Sequence, residues 1–121
     1  MSDLKVVSLF SGAGGLDHGF EAAGYNVAVT VESDADCCQT LRTNRPWAVI
    51  EDDIRRVPGS RILDEGSIRR GHVDLIIGGP PCQPFSKAGY WTNGDTRRLD
   101  DPRAHTINEY MRCVEELLPA A

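Results

Sequence analysis

Cys82 stands behind two prolines in a glycine-flanked stretch, GGPPCQPFSKAG, from Gly78 to Gly89. Pro80 and Pro81 each fix a backbone angle and remove an N–H donor, so they stiffen the segment that presents the thiol. A free thiol of pKa about 8.5 is only a few per cent thiolate at neutral pH, yet it is intrinsically nucleophilic. Covalent attack on a bound substrate is the chemistry this position suits; the plainer alternative is a buried structural thiol. A second signal lies near the N-terminus. FSGAGG, Phe10 to Gly15, is a glycine turn whose free N–H groups attract anionic ligand groups. No Gly-Lys-Ser/Thr follows it, so it is not a phosphate P-loop. Glu32 comes twenty positions after Gly12, the spacing at which nucleotide-binding sheets place an acid on ribose hydroxyls. The pair points to a nucleoside cofactor, against a glycine-rich turn plus a surface glutamate. Asp53 and Ile54 read in two ways. They supply an acceptor for an adenine amino group and an apolar face for its ring, or they belong to a solvated acidic turn, EDD.

These residues need a scaffold, and the sequence spells one. Lys5–Phe10 reads as a buried strand, and Leu16, Phe20 and Ala23 follow at helical spacing, with Gly24 as the stop. Asn26–Val31 is a second strand. Ser33 or Asp34 caps a helix running to about Asn44, closed off by Pro46. Trp47–Ile50 is a short third strand, and residues 53–71 read as loop with a turn or two of helix. Val73–Ile77 is a fourth strand, and a final helix runs from about Thr106 to Leu118 before Pro119. Strands alternating with helices predict an α/β fold with a doubly wound, mostly parallel sheet and right-handed crossovers. With strand order 3-2-1-4, strands one and four are neighbours across the switch point, where such sheets bind ligands. Cys82 then lies beside whatever the glycine turn holds. The following PFSKAGYWTNGDTRRLDDPR has the glycines and polar residues of a closing lid, with a cationic edge from Lys87, Arg97, Arg98 and Arg103.

Length and charge bound the function. The 121 residues suffice for one small domain. No run is apolar enough to span a membrane, and MSDLKVV lacks a secretory signal, which predicts a cytoplasmic protein. The four cysteines, Cys37, Cys38, Cys82 and Cys113, fit neither a zinc pattern nor a secreted disulfide framework. A net charge of −5 excludes a whole-surface clamp for nucleic acid and leaves room only for a local basic patch.

FSGAGGLDHGF, the glutamate ending strand two and DLIIGGPPCQPFSKAG together resemble the cytosine-C5 DNA methyltransferases, from about Lys5 to Leu118. The resemblance implies a doubly wound methyltransferase sheet and S-adenosylmethionine as methyl donor. It implies that Phe10, Gly12, Ala13, Gly15 and Leu16 line the methionine end, that Glu32 holds the ribose with Ser33 beside it, and that Asp53 and Ile54 take the adenine. Asp52 stands where the family often has glycine, so the adenine turn differs slightly. Pro81 is implied to abut cofactor and target base. Pro80, Gln83, Ser86, Lys87 and Arg103 are implied to belong to the substrate-facing loop. Cys82 is implied to add to C6 of a cytosine flipped out of duplex DNA.

The family's Glu-Asn-Val segment, its arginine pair segment and its target-recognition domain find no counterpart here. The expectation is therefore a single partial domain, a fragment or one subunit of a split enzyme. Residues 1–71 form the cofactor half, and residues 72–121 carry the cysteine strand, loop and next helix. The outer edge of VDLII then lacks its next strand, which predicts self-association or a second polypeptide completing the fold. Three other functions compete: a catalytically incomplete interaction subunit, a transfer-RNA cytosine-C5 methyltransferase, and a nicotinamide dehydrogenase.

Overall fold

The computed structural model describes residues 4–79 and 105–121. Four strands form one parallel sheet: β1 (Lys5–Leu9), β2 (Asn26–Glu32), β3 (Ala48–Glu51) and β4 (Leu75–Gly78), in the order β3-β2-β1-β4. Four helices connect or follow them: α1 (Gly15–Ala22), α2 (Ala35–Asn44), α3 (Gly59–Gly66) and α4 (His105–Leu117). A short 3-10 turn, Ile54–Arg56, follows β3. The predicted strand order is the observed one.

β1 and β2 are rich in β-branched residues and buried on both faces, as a parallel sheet covered by helices requires. Val7, Leu9, Val29, Val31 and Ile50 point to one face, where they meet Ile62 of α3 and Cys113 and Leu117 of α4. Val6, Val27 and Ile77 point to the other and pack with Phe20, Tyr25 and Trp47. Each such aliphatic side chain contributes about 1.5–3 kcal/mol when fully buried, so the first cluster carries most of the stability.

Three expectations are refined. The stretch 53–71 holds a two-turn helix, α3, whose Ile62 is fully buried and whose Leu63 packs against the same core. In α1 only Phe20 of the predicted face packs on the core. Leu16 is 51% exposed and Ala23 is exposed, whereas Asp17 is 1% exposed, because Ser8 on β1 offers it a hydrogen bond. Finally, the outer edge of β4 is not bare. Ala120 and Ala121 donate their N–H groups to the carbonyls of Val73 and Asp74, both at 3.0 Å. The Ala121 carbonyl accepts from Ile76 N–H at 2.9 Å. Ala120 and Ala121 thus cover part of the edge that was expected to be open, at Val73, Asp74 and Ile76.

Candidate cofactor site at the carboxyl edge of the sheet

Three loops leave the carboxyl ends of adjacent strands, and the predicted ligand residues sit on them. After β1 the chain turns sharply: Phe10 has φ 53 and Gly12 φ 58. A bulky side chain in the left-handed region stores about 1–3 kcal/mol of strain, which the surrounding packing must hold. Here that packing is Tyr110 of α4, whose ring is stacked on Phe10 at 6.5 Å between centroids and 6° between planes. Gly12 faces open space, with nothing within 4 Å of where a Cβ would stand. Ala13, Gly15 and Leu16 are exposed around it, so this rim is free to meet a ligand.

Glu32 closes β2 and is the hinge of the site. Its Oε1 accepts the N–H of Gly12 at 2.7 Å, and its Oε2 accepts the N–H of Asp34 at 2.9 Å. One carboxylate therefore ties the glycine turn to the start of α2. A carboxylate offers about four acceptor positions, so capacity for hydroxyl donors remains. Ser33 is exposed beside it. Asp34, not Ser33, caps α2, accepting from Asp36 N at 2.9 Å and Cys37 N at 3.1 Å.

Asp53 and Ile54 follow β3. Asp53 caps the 3-10 turn by accepting Arg55 N at 2.9 Å, and its Oδ2 takes Arg55 Nη2 at 2.6 Å. The Arg55 bonds hold its carboxyl down to about 2, so it is an anion at any ordinary pH. Ile54 is 6% exposed and belongs to the core. Asp52, at the glycine position of the family pattern, accepts from Asp53 N at 2.7 Å and pairs with Arg61 at 3.2 Å.

Behind the glycine turn lies a polar cluster that the sequence reading missed. Ser8 Oγ donates to Asp17 Oδ1 at 2.7 Å, and the Ser8 and Ser11 hydroxyls lie 2.8 Å apart. Asp17 Oδ2 is buried with no hydrogen-bond partner. Burial pushes the Asp17 carboxyl above its usual value, against the opposing pull of Ser8 and the charge of His18. The only signal in the sequence was an acid in the first turn of a helix beside a serine-bearing strand.

β4 reaches the same edge. Gly78 stands opposite Leu9, and a Cβ there would lie 2.2 Å from the Leu9 carbonyl oxygen. Glycine is required for β4 to pass β1 this closely. Pro80, Pro81, Cys82, Gln83, Ser86, Lys87 and Arg103 lie outside the described residues. Of the other cysteines, burial raises Cys38 and Cys113 to about 11, so both are inert thiols, and Cys37 is shifted upward as well. None of the three is joined in a disulfide, and no cluster of metal-ligating side chains occurs among the described residues. No helix among them is long and apolar enough to cross a membrane. An open hollow of about 540 Å³ is lined by Lys5, Ser67, Arg69, His72 and Asp74. It opens at the amino ends of β1 and β4, the end of the sheet away from the glycine turn.

The family model for C-5 cytosine-specific DNA methylases matches residues 4–121. The chain belongs to this family. It is 49% identical over 116 residues to the type II methyltransferase M.AquIA of Picosynechococcus sp., covering 95% of this chain and 45% of that protein. It is 38% identical to the type II methyltransferase M.SacI of Streptomyces achromogenes, over 98% of this chain and 34% of the relative. A solved DNA modification methyltransferase encoded within an E. coli prophage superposes with a TM-score of 0.77 at 34% identity. That match covers 97% of this chain and 30% of the solved one. The chain thus spans under half the length of these relatives.

Proposed function

We propose that this chain is the cofactor-binding, cysteine-bearing part of an enzyme that methylates C5 of cytosine in DNA. The observation that carries the reading is the Glu32 carboxylate, bonded to Gly12 in the turn after β1 and flanked by Asp53 after β3. An acid at the carboxyl end of β2 beside a glycine turn is what a nucleoside ligand requires. The residues fit S-adenosylmethionine. Gly12 leaves space beside the turn, Phe10, Ala13, Gly15 and Leu16 form an apolar rim for the methionine end, and Glu32, with Ser33 beside it, accepts ribose hydroxyls. Asp53 accepts the adenine amino group, and Ile54 backs the ring. The cofactor supplies an electrophilic methyl group.

The chain's own part in the chemistry is nucleophilic. Cys82, as thiolate, adds to C6 of a flipped cytosine, and the electron pair released onto C5 lets that carbon take the methyl group. Loss of the C5 proton to a base then restores the double bond and expels the thiolate. Pro80 and Pro81 stiffen the approach, and Gln83, Ser86, Lys87 and Arg103 face the substrate. Residues 1–71 hold the cofactor, and residues 72–121 carry the nucleophile. A DNA substrate places the chain inside the cell, where its thiols stay reduced.

The test is transfer of isotope-labelled methyl from S-adenosylmethionine to DNA and to transfer RNA in competition, with the chain alone and with a polypeptide supplying the rest of the fold. Transfer to cytosine C5 of DNA supports the reading. Preference for transfer RNA moves the chain to the RNA branch. A second reading is an interaction subunit needing a partner polypeptide. Turnover seen only with the partner supports it.

A further inference from the structure

α4 grips the stretch 54–59 at both ends. Arg112 Nη2 donates to the carbonyl of Ile54 at 2.9 Å and to that of Val57 at 3.0 Å. Its fork is held in place from both sides along the helix: Nε donates to Glu109 Oε2 at 2.8 Å, and Nη1 to Glu116 Oε1 at 2.9 Å. Glu116 Oε1 also accepts the N–H of Gly59 at 2.7 Å. A planar guanidinium can serve all four acceptors at once; an ammonium, with one compact centre, cannot. Two residues before Arg112, Tyr110 carries the ring that backs Phe10. One helix therefore sets both the glycine turn after β1 and the turn after β3.

The carbonyl that Arg112 holds is that of Ile54 itself, one peptide from Asp53. A shift of this peptide moves the Asp53 carboxylate relative to Glu32, and hydrogen-bond recognition of a base edge tolerates little such movement. Arg112 is only 28% exposed in its side chain and turns Nη2 inward, onto the backbone beneath the turn. The Ile54 carbonyl also accepts the Val57 N–H at 3.1 Å, so Arg112 adds a second donor there and ties that peptide to α4.

We propose that Arg112 is a positioning residue for recognition of the cofactor's adenine base, acting through the Ile54 and Val57 carbonyls. This rests on the cofactor reading above and adds a determinant that does not touch the ligand. The predicted readout is discrimination: S-adenosylhomocysteine against S-inosylhomocysteine, whose base carries an oxo group where adenine carries the amino donor. Asp53, an acceptor, favours the first and repels the second.

The experiment is calorimetric titration of the purified chain with both ligands, with thermal melts in parallel. Arg112→Lys should weaken S-adenosylhomocysteine about tenfold, the scale of one charged hydrogen bond lost, and weaken the inosyl analogue much less, so the ratio collapses. Arg70→Gln is the control. Arg70 anchors the same helix through the carbonyls of Glu115 and Glu116, away from residues 54–57, and its loss should lower the melting temperature while leaving the ratio intact. If Arg112→Lys does not fold, Glu109→Gln loosens the fork without removing it, and an intermediate fall in the ratio is expected. A wild-type ratio in the folded Arg112 or Glu109 variant would overturn the proposal. Wild-type protein that binds neither ligand, or both equally, would instead overturn the cofactor reading beneath it.

Discussion

Replacing Glu32 with Gln probes the brace and the ligand contact at once. The substitution keeps the shape but turns one carboxylate oxygen into an NH2 group. Both oxygens now accept backbone N–H groups, from Gly12 at 2.7 Å and Asp34 at 2.9 Å. Whichever way the amide turns, one of the two then faces a donor. Hydrogen bonds to a charged group contribute about 1.5–3 kcal/mol each, and the partial exposure of Glu32 argues for the lower end. We expect a stability loss of about 1–2 kcal/mol, seen in urea unfolding as a lower midpoint with unchanged slope. Ribose hydroxyls lose the same charge, so affinity for S-adenosylhomocysteine should fall about tenfold or more by calorimetry, measured well below the melting point. The two effects separate cleanly. Lower stability with unchanged affinity would refute the ribose assignment and leave Glu32 as a brace for the glycine turn. Unchanged stability would refute the argument from the two backbone bonds.

Four further outcomes are expected. Gly78→Ala puts a Cβ within 2.2 Å of the Leu9 carbonyl, so it should cost about 3 kcal/mol or more, or prevent folding, and a melt near wild type would contradict the close approach of β4 and β1. The two unusual aspartates should bend the pH–stability curve in opposite directions. Asp17, raised by burial, stabilises the fold when protonated and loses that contribution as pH climbs through its raised value; Asp17→Asn should remove this slope in unfolding measured across the acid range. Asp53, held to about 2, contributes above the ordinary carboxyl range and loses its contribution as pH falls towards 2; Arg55→Gln should return its NMR titration towards the usual value, and no movement would contradict the Arg55 cause. In a full or complemented enzyme, Cys82→Ser should abolish methyl transfer and the adduct with 5-fluorocytosine DNA while sparing cofactor binding, and adduct formation at wild-type level would remove Cys82 from the nucleophile role.

The sheet was legible because its strands are short β-branched runs bounded by glycine, proline and capping residues, and because right-handed connections leave few ways to order four of them. α3 was harder to read. GSRILDEG has one fully buried aliphatic in eight residues, and its position is set by packing of Ile62 under the sheet, not by helix propensity. Glu32 could be found because spacing from a glycine turn is a local property. Asp17 could not, since its burial follows from meeting Ser8 across a strand–helix interface. Arg112 shows the same limit. The spacing Glu109, Arg112, Glu116 announces an ion-pair ladder, which on most helices faces solvent. That this ladder instead reaches Ile54, Val57 and Gly59 depends on contacts more than fifty positions apart in the chain. The partial cover on the outer edge of β4 was hidden for a related reason: the residues that provide it, Ala120 and Ala121, follow Pro119, where the sequence shows no strand pattern.

In the proposed function, one ligand lies across the carboxyl ends of β1, β2 and β3. Amide chemical-shift mapping on the isotope-labelled chain, titrated with S-adenosylhomocysteine, tests it most directly. Saturable shifts are expected at Gly12, Gly14, Ser33, Asp34, Asp53 and Ile54, with Gly12 and Asp34 moving together because both N–H groups rest on Glu32. Shifts confined to residues 67–74, around the hollow at the opposite end of the sheet, or none at saturating ligand, would contradict it.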